Sequence, residues 1–234
     1  MNEVSKHKTD KVMRLFNRIL EAKGNPIFAL FLISSFCVCL ITLSYIRSNN
    51  FTYFFLGWNL FLAWVPLAFA LIWKHRLRYG NPARWKSVGI FCLWLLFFPN
   101  APYIITDLVH LNTRFNPAIW ADTLLLFSCA LSGLVVGIYA LHIVHELLVK
   151  SLGTVKSWFV VAGSLILTGY GIYLGRIQRW NSWDLFTSPV TLLTDSIYQL
   201  TNPQAVKMTV GFSALLFIIY FMFKTIVSHE RTEG

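Results

Sequence analysis

Charge is scarce in this chain. Only 13% of its 234 residues are Asp, Glu, Lys or Arg, against about 25% in ordinary soluble domains. The deficit excludes water as the main solvent of the fold. Acidic residues are scarcer still, 10 against 20 basic ones, for a formal net charge of +10. The basic excess follows the connections between apolar runs, so it is not a nucleic-acid footprint and no nucleic-acid partner is expected. Cysteine is limited to Cys37, Cys39, Cys92 and Cys129, all inside apolar runs and without metal-ligand spacing. There a thiol behaves as a small apolar residue, and neither a disulfide, a metal nor a cofactor is expected. Low-complexity tracts and internal repeats are missing too, which weighs against a transporter built from repeated halves.

What is present is hydrophobic residues at 56%, with 16% aromatics. A membrane-crossing helix needs roughly 20 mostly apolar residues. Six stretches qualify, near 27–46, 51–73, 88–111, 118–141, 158–175 and 205–226. The loops left over are too short for a soluble domain. The expectation is an all-α, polytopic transmembrane helical bundle of about six helices. A basic segment, 1–26, precedes the single bundle domain, 27–226, and a short tail, 227–234, follows it.

With the N-terminus in the cytoplasm and alternating crossings, 15 Lys and Arg fall inside and 5 outside. The positive-inside rule therefore predicts both termini in the cytoplasm, and the bacterial plasma (inner) membrane is the expected location. The first apolar run is longer than the roughly 7–15 residues of a signal-peptide core and lacks a small-x-small cleavage site, so it reads as an uncleaved helix. Before it, Val12, Leu15, Phe16 and Ile19 share a helical face, with Lys11, Arg14 and Arg18 interspersed. That pattern suits either a helix lying on an anionic leaflet or a solvated tail.

The longest polar connection is 176–204. In it, Ser188-Pro189 has the order of an N-cap and a first helical residue. Val190, Leu193, Ile197 and Leu200 then recur at helical spacing opposite Thr191, Asp195 and Gln199. This predicts an interfacial helix on the outer leaflet, ended by Asn202-Pro203. Gly133-x-x-x-Gly137 and Gly171-x-x-x-Gly175 allow two backbones to approach closely. Tight packing within the chain is the main expectation, and a homodimer through the glycine faces is the other.

The third stretch contains "FFPNAPYIITDLVH", Phe97 to His110. Each proline lacks an N–H and disfavours helix before it, so this helix is expected to be broken at Pro99-Pro102. At about 1.5 Å per residue the break lies about 16 Å from Val88, near the bilayer midplane. Asn100 is the expected N-cap of an outward half-helix over 101–111. Asn59, at similar depth in the second stretch, is its expected hydrogen-bond partner, and a packing kink is the competing reading.

Beyond the break, Asp107 and His110 lie one helical turn apart. Asp122 opens the fourth stretch at matching depth, and "GRIQRWNSWD" brings Arg176, Arg179 and Asp184 to the same level. A charge inside the membrane costs about 3 kcal/mol at the centre and less near the interface, so mutual pairing is expected. Two readings follow: an ion-pair network locking helix ends, or a polar outer pocket. Such a pocket would bind a small anion, a sugar or a lipid headgroup, with bidentate arginine contacts. In it Asp107 and His110 could act as base and acid. At the other end, "HIVHE" (His142 to Glu146) lacks the i, i+4 histidine spacing of zinc proteases and reads as a hydrated interface.

"FPNAPYIITDLVHL" followed by "LGRIQRWNSWD", with "GWNLFLAWVPL" upstream, resembles a family of bacterial multi-pass membrane proteins catalogued as domain of unknown function 1361. The resemblance runs from about residue 50 to 226. It implies a bacterial integral membrane protein of about six helices and carries no catalytic residues with it. Besides the bilayer itself, an anionic or lipid-linked ligand is the expected partner. A small-solute transporter using the midplane break, a membrane-embedded enzyme and a non-catalytic assembly protein stay open as classes.

Orientation is testable directly. In a cysteine-free background, single cysteines at Asn49, Asn116 and Asn181 should react with a membrane-impermeant thiol reagent in intact cells. Protection of all three would reverse the topology.

Overall fold

The computed structural model describes residues 25–80, 83–110 and 119–233. Among them the secondary structure is entirely helical. Helix α1 is Pro26–Ser48, α2 Phe54–Tyr79 and α3 Arg84–Phe97. A single turn, α4 (Asn100–Tyr103), leads into a 3-10 stretch, Ile104–His110. Then come α5 (Ile119–Leu152), α6 (Thr154–Arg176), the turn α7 (Asp184–Thr187), α8 (Pro189–Gln199) and α9 (Pro203–Glu233). Six segments are long and apolar enough to cross a membrane: Pro26–Ser48, Phe54–Tyr79, Arg84–Val109, Trp120–Leu152, Thr154–Arg176 and Pro203–His229. They coincide with the six apolar stretches, and the chain is a multi-pass membrane bundle. The N-terminal face of Val12, Leu15, Phe16 and Ile19 lies outside the described residues.

Local chemistry explains the ends. Asn25 Oδ1 accepts from the Ile27 N–H at 3.1 Å, with Pro26 at the first helical position, which is the usual start signal. Asn49 closes α1 in the left-handed conformation, φ 49°. Helix α5, with 34 residues, is about 51 Å long, well beyond the roughly 30 Å of hydrocarbon. The stretch read from the sequence stops near 141 because hydropathy reports the solvent, not the end of the helix. Burial covers 67% of the most apolar window of α5 but 11% of that of α9. Helix α5 is therefore the axis of the bundle and α9 faces mainly outward.

The third span corrects one expectation. It is interrupted at Phe98-Pro99, yet both residues keep right-handed helical angles, φ −58° and −57°, so the result is a kink. Asn100 is the first residue of α4, and its side chain does not cap the helix. The physical reason lies in the carbonyls. Pro102 has no N–H to give the Phe98 oxygen, which takes the Ala101 N–H instead at 3.2 Å. Asn100 Nδ2 then turns back to the Phe97 oxygen at 2.9 Å, and it also donates to Ser182 Oγ at 3.0 Å. Ser182 Oγ in turn donates to the Leu96 oxygen at 2.9 Å. With these groups satisfied from side chains, as buried backbone at this depth requires, a full break is unnecessary. Past Tyr103 the chain winds as 3-10 helix rather than the expected α half-helix; Leu111 lies outside the described residues.

Both glycine pairs receive this kink. A Cβ on Gly133 would stand 2.6 Å from the Ala101 carbonyl oxygen, and one on Gly137 2.9 Å from Ala101 Cβ. On the other side, a Cβ on Gly171 would meet Pro99 Cγ at 2.8 Å and one on Gly175 would meet Tyr103 Cε2 at 3.1 Å. The close approach these glycines permit is thus used within the chain, seating residues 98–104 between α5 and α6. Toward the opposite end, buried His145 links three helices. Its Nδ1 meets Tyr220 Oη at 2.6 Å and its Nε2 meets Ser157 Oγ at 3.2 Å, so this histidine of "HIVHE" serves packing.

Gly133→Ala should lower the melting temperature in detergent, by the equivalent of about 1–3 kcal/mol, because backbone must move to admit the methyl. Gly163, whose Cβ would meet nothing within 4 Å, is the control: its alanine variant should be neutral or stabilised by up to about 1 kcal/mol. Equal behaviour of the two variants would remove the cradle.

Candidate functional site

A cavity of about 710 Å³ opens beside the kink, at the end of the bundle that holds the 177–202 connection. Its walls come from the start of α2, the kinked third span, the end of α6 and the loop after it. Asn59, Asn100, Asp107, Arg176 and Arg179 line it, together with Trp58, Tyr103, Trp180 and Ser182.

Asp107 is the anchor. It is 2% exposed, and Arg176 Nη1 forms an ion pair with its Oδ1 at 3.0 Å. Asn59 Nδ2 donates to its Oδ2 at 2.9 Å. The expected partner of Asn59 was Asn100; instead Asn59 binds the carboxylate and Asn100 binds Ser182. The stronger, charged acceptor decides this, since hydrogen bonds to an ionic group are roughly twice as strong as neutral ones. Three elements distant in sequence therefore meet at one buried carboxylate.

Arg179 stands at the cavity with a left-handed backbone, φ 61°. That conformation costs a residue with a Cβ about 1 kcal/mol, so its surroundings must hold it there. They do so on both sides. Gln178 Nε2 donates to Tyr173 Oη at 3.1 Å, and Tyr173 Oη donates to Gln199 Oε1 at 2.7 Å. Trp180 Nε1 donates to Asp195 Oδ2 at 2.6 Å. Helix α8 thus turns Asp195 and Gln199 toward the bundle while Val190, Leu193, Ile197 and Leu200 remain exposed, the amphipathic arrangement of an interfacial helix. Leu192 of α8 reaches the cavity lining.

The remaining predicted residues separate from this group. Asp184 accepts from the Asn181 N–H at 2.7 Å and from Thr187 Oγ1 at 3.3 Å, closing its own loop. Asp122 hydrogen-bonds Tyr53, whose hydroxyl is pushed up to about 12 by burial and by that carboxylate. Neither lines the cavity. The side chain of His110 lies outside the described residues. Conversely, Tyr103 and Ser182 were not singled out from the sequence. The partners of Ser182, Leu96 and Asn100, lie more than 80 positions upstream, so nothing local to "WNSWD" marks it. Trp58 and Trp183 meet edge to face at 6.3 Å, closing the same loop over α2.

Comparison with known proteins adds the family. A family model described as "Protein of unknown function (DUF1361)" matches residues 58–219. The chain belongs to that family, and the match includes every cavity-lining residue except Phe55. No similar curated protein and no similar solved structure was found.

The buried pair should show strong coupling. Arg176→Gln should destabilise the protein in detergent by up to about 3 kcal/mol, because the 2%-exposed Asp107 carboxylate loses its counter-charge, and Asp107→Asn by less, because Arg176 is 21% exposed. The double variant should lose less than the two single losses combined. Additive losses would mean that the two charges are solvated independently.

Proposed function

We propose that this protein is a bacterial plasma-membrane protein, with both termini cytoplasmic, that binds the anionic headgroup of a ligand in its outward-facing cavity. The observation that carries the reading is the charge of the lining: two arginines, Arg176 and Arg179, against one carboxylate, Asp107. Asp107 is already engaged by Arg176 and Asn59, which leaves the cavity short of negative charge. Arg179 is the cation offered to a ligand, and its guanidinium suits bidentate contact with a phosphate or carboxylate. Asp107 then acts as a positioning residue that holds Arg176 in place, and a binding function is favoured over acid–base chemistry. The lining also carries Phe55, Leu62, Leu96 and Leu174, the mix of apolar wall and few polar groups typical of small-molecule sites. An anionic amphiphile of the outer leaflet fits both halves.

Binding is measurable as thermal stabilisation of the detergent-purified protein. Phosphatidylglycerol micelles or inorganic phosphate should raise the melting temperature more than phosphatidylcholine does. Arg179→Gln should reduce that difference while leaving the unliganded melting temperature nearly unchanged. A variant stabilised as strongly as the parent chain would end the proposal. Stabilisation by phosphate alone would identify a soluble anion, and by phosphatidylglycerol alone a lipid.

A further inference from the structure

A second cavity, of about 850 Å³, lies at the opposite end of the bundle, between the start of α1, the last turns of α2 and the last turns of α5. Lys74 and Arg78 line it from one face of α2, being four residues apart, which places them one above the other on a helix. Lys150 lines it from α5. Among the described residues none of these three cations has an ion pair. The one carboxylate in the lining, Glu146, is bound by Lys224 of α9, so its charge is answered from outside the cavity. The apolar lining open to a ligand is Leu77, 43% exposed, and Pro26, while Ile143 and Leu147 behind them are buried in the core.

We propose that this cavity is a specific site for an anionic phospholipid, with the phosphate held by Lys74, Arg78 and Lys150 and the acyl chains laid against Leu77 and Pro26. Three cations around one cavity favour an anion that all three can approach closely. Pro26 and Leu77 are exposed on membrane-crossing helices beside these cations, which favours an anion that carries hydrocarbon over a soluble phosphate. Basic pockets between transmembrane helices hold lipid headgroups through this combination. The orientation proposed above places the site in the cytoplasmic leaflet, but the chemistry of the site does not depend on it. The site is independent of the outward-facing cavity and shares no residue with it.

The test uses the full chain carrying Arg179→Gln, which weakens binding at the outward-facing cavity and keeps the two readings apart. Detergent-purified protein is incubated with mixed micelles of phosphatidylglycerol and phosphatidylcholine of identical acyl chains, and retained lipid is counted by native mass spectrometry. One phosphatidylglycerol should be retained in preference to phosphatidylcholine. The further changes Lys74→Gln, Arg78→Gln and Lys150→Gln should weaken that retention roughly tenfold or more, each basic residue contributing separately. If the triple change impairs insertion, Arg78→Gln against Arg78→Lys carries the test: the first should lower retention and the second should keep most of it. Equal retention of both lipids, undiminished retention in the glutamine variants, or displacement by millimolar inorganic phosphate would each overturn the proposal.

Discussion

The kink at Phe98-Pro99 is the feature on which the half of the bundle holding the 177–202 connection depends. Two prolines within four residues deprive a membrane-buried helix of backbone donors, and hydrocarbon offers no replacement. The chain answers with Asn100 and Ser182, whose side chains serve the Phe97 and Leu96 carbonyls. Because Ser182 belongs to the loop after α6, this repair also ties that loop to the third span. Four glycines on α5 and α6 make room for the bulge. The kink thus links a backbone requirement to the placement of a loop.

Placement of that loop also shapes the cavity. Helix α6 ends at Arg176, close enough to the third span for its guanidinium to reach Asp107, and the following residues bring Arg179 and Trp180 to the cavity. A charge in this setting is tolerated because its counterpart arrives with it. Helix α8 then pins the loop from the lipid side through Asp195 and Gln199. Its apolar residues, Val190, Leu193 and Ile197, stay outward for the bilayer. A rigid frame of this kind is what a binding site needs, since it spares a ligand the cost of ordering the groups that hold it.

The two ends of the bundle solve different problems with similar means. At one end a single buried carboxylate holds Arg176 and Asn59 beside a cavity. At the other, Glu146 is taken by Lys224 and His145 by Tyr220 and Ser157, so α5, α6 and α9 are joined by polar contacts while Lys74, Arg78 and Lys150 face a separate cavity. Helix α5 runs between the two ends, receiving the kink at Gly133 and Gly137 and carrying His145, Glu146 and Lys150.

Several of these features were legible in the sequence, because they follow from composition and local pattern. Six apolar stretches, the proline interruption, the amphipathic 189–199 segment and the close-packing glycines all depend on residues within a few turns of each other, where periodicity and backbone chemistry suffice. Even the level at which Asp107, Arg176 and Arg179 meet could be read from helix rise. Partner choice could not. Whether Asn59 binds Asn100 or Asp107, and whether Asp122 joins the cavity or Tyr53, turns on helix rotation about its axis. That rotation is set by packing between segments 40 to 90 positions apart. The same holds for Asn100, whose role changed from helix cap to carbonyl donor once Ser182 was folded against it. Sequence alone determined which groups must be satisfied in the membrane, since each unpaired charge or carbonyl carries its own cost; only the tertiary structure decided which group satisfies which.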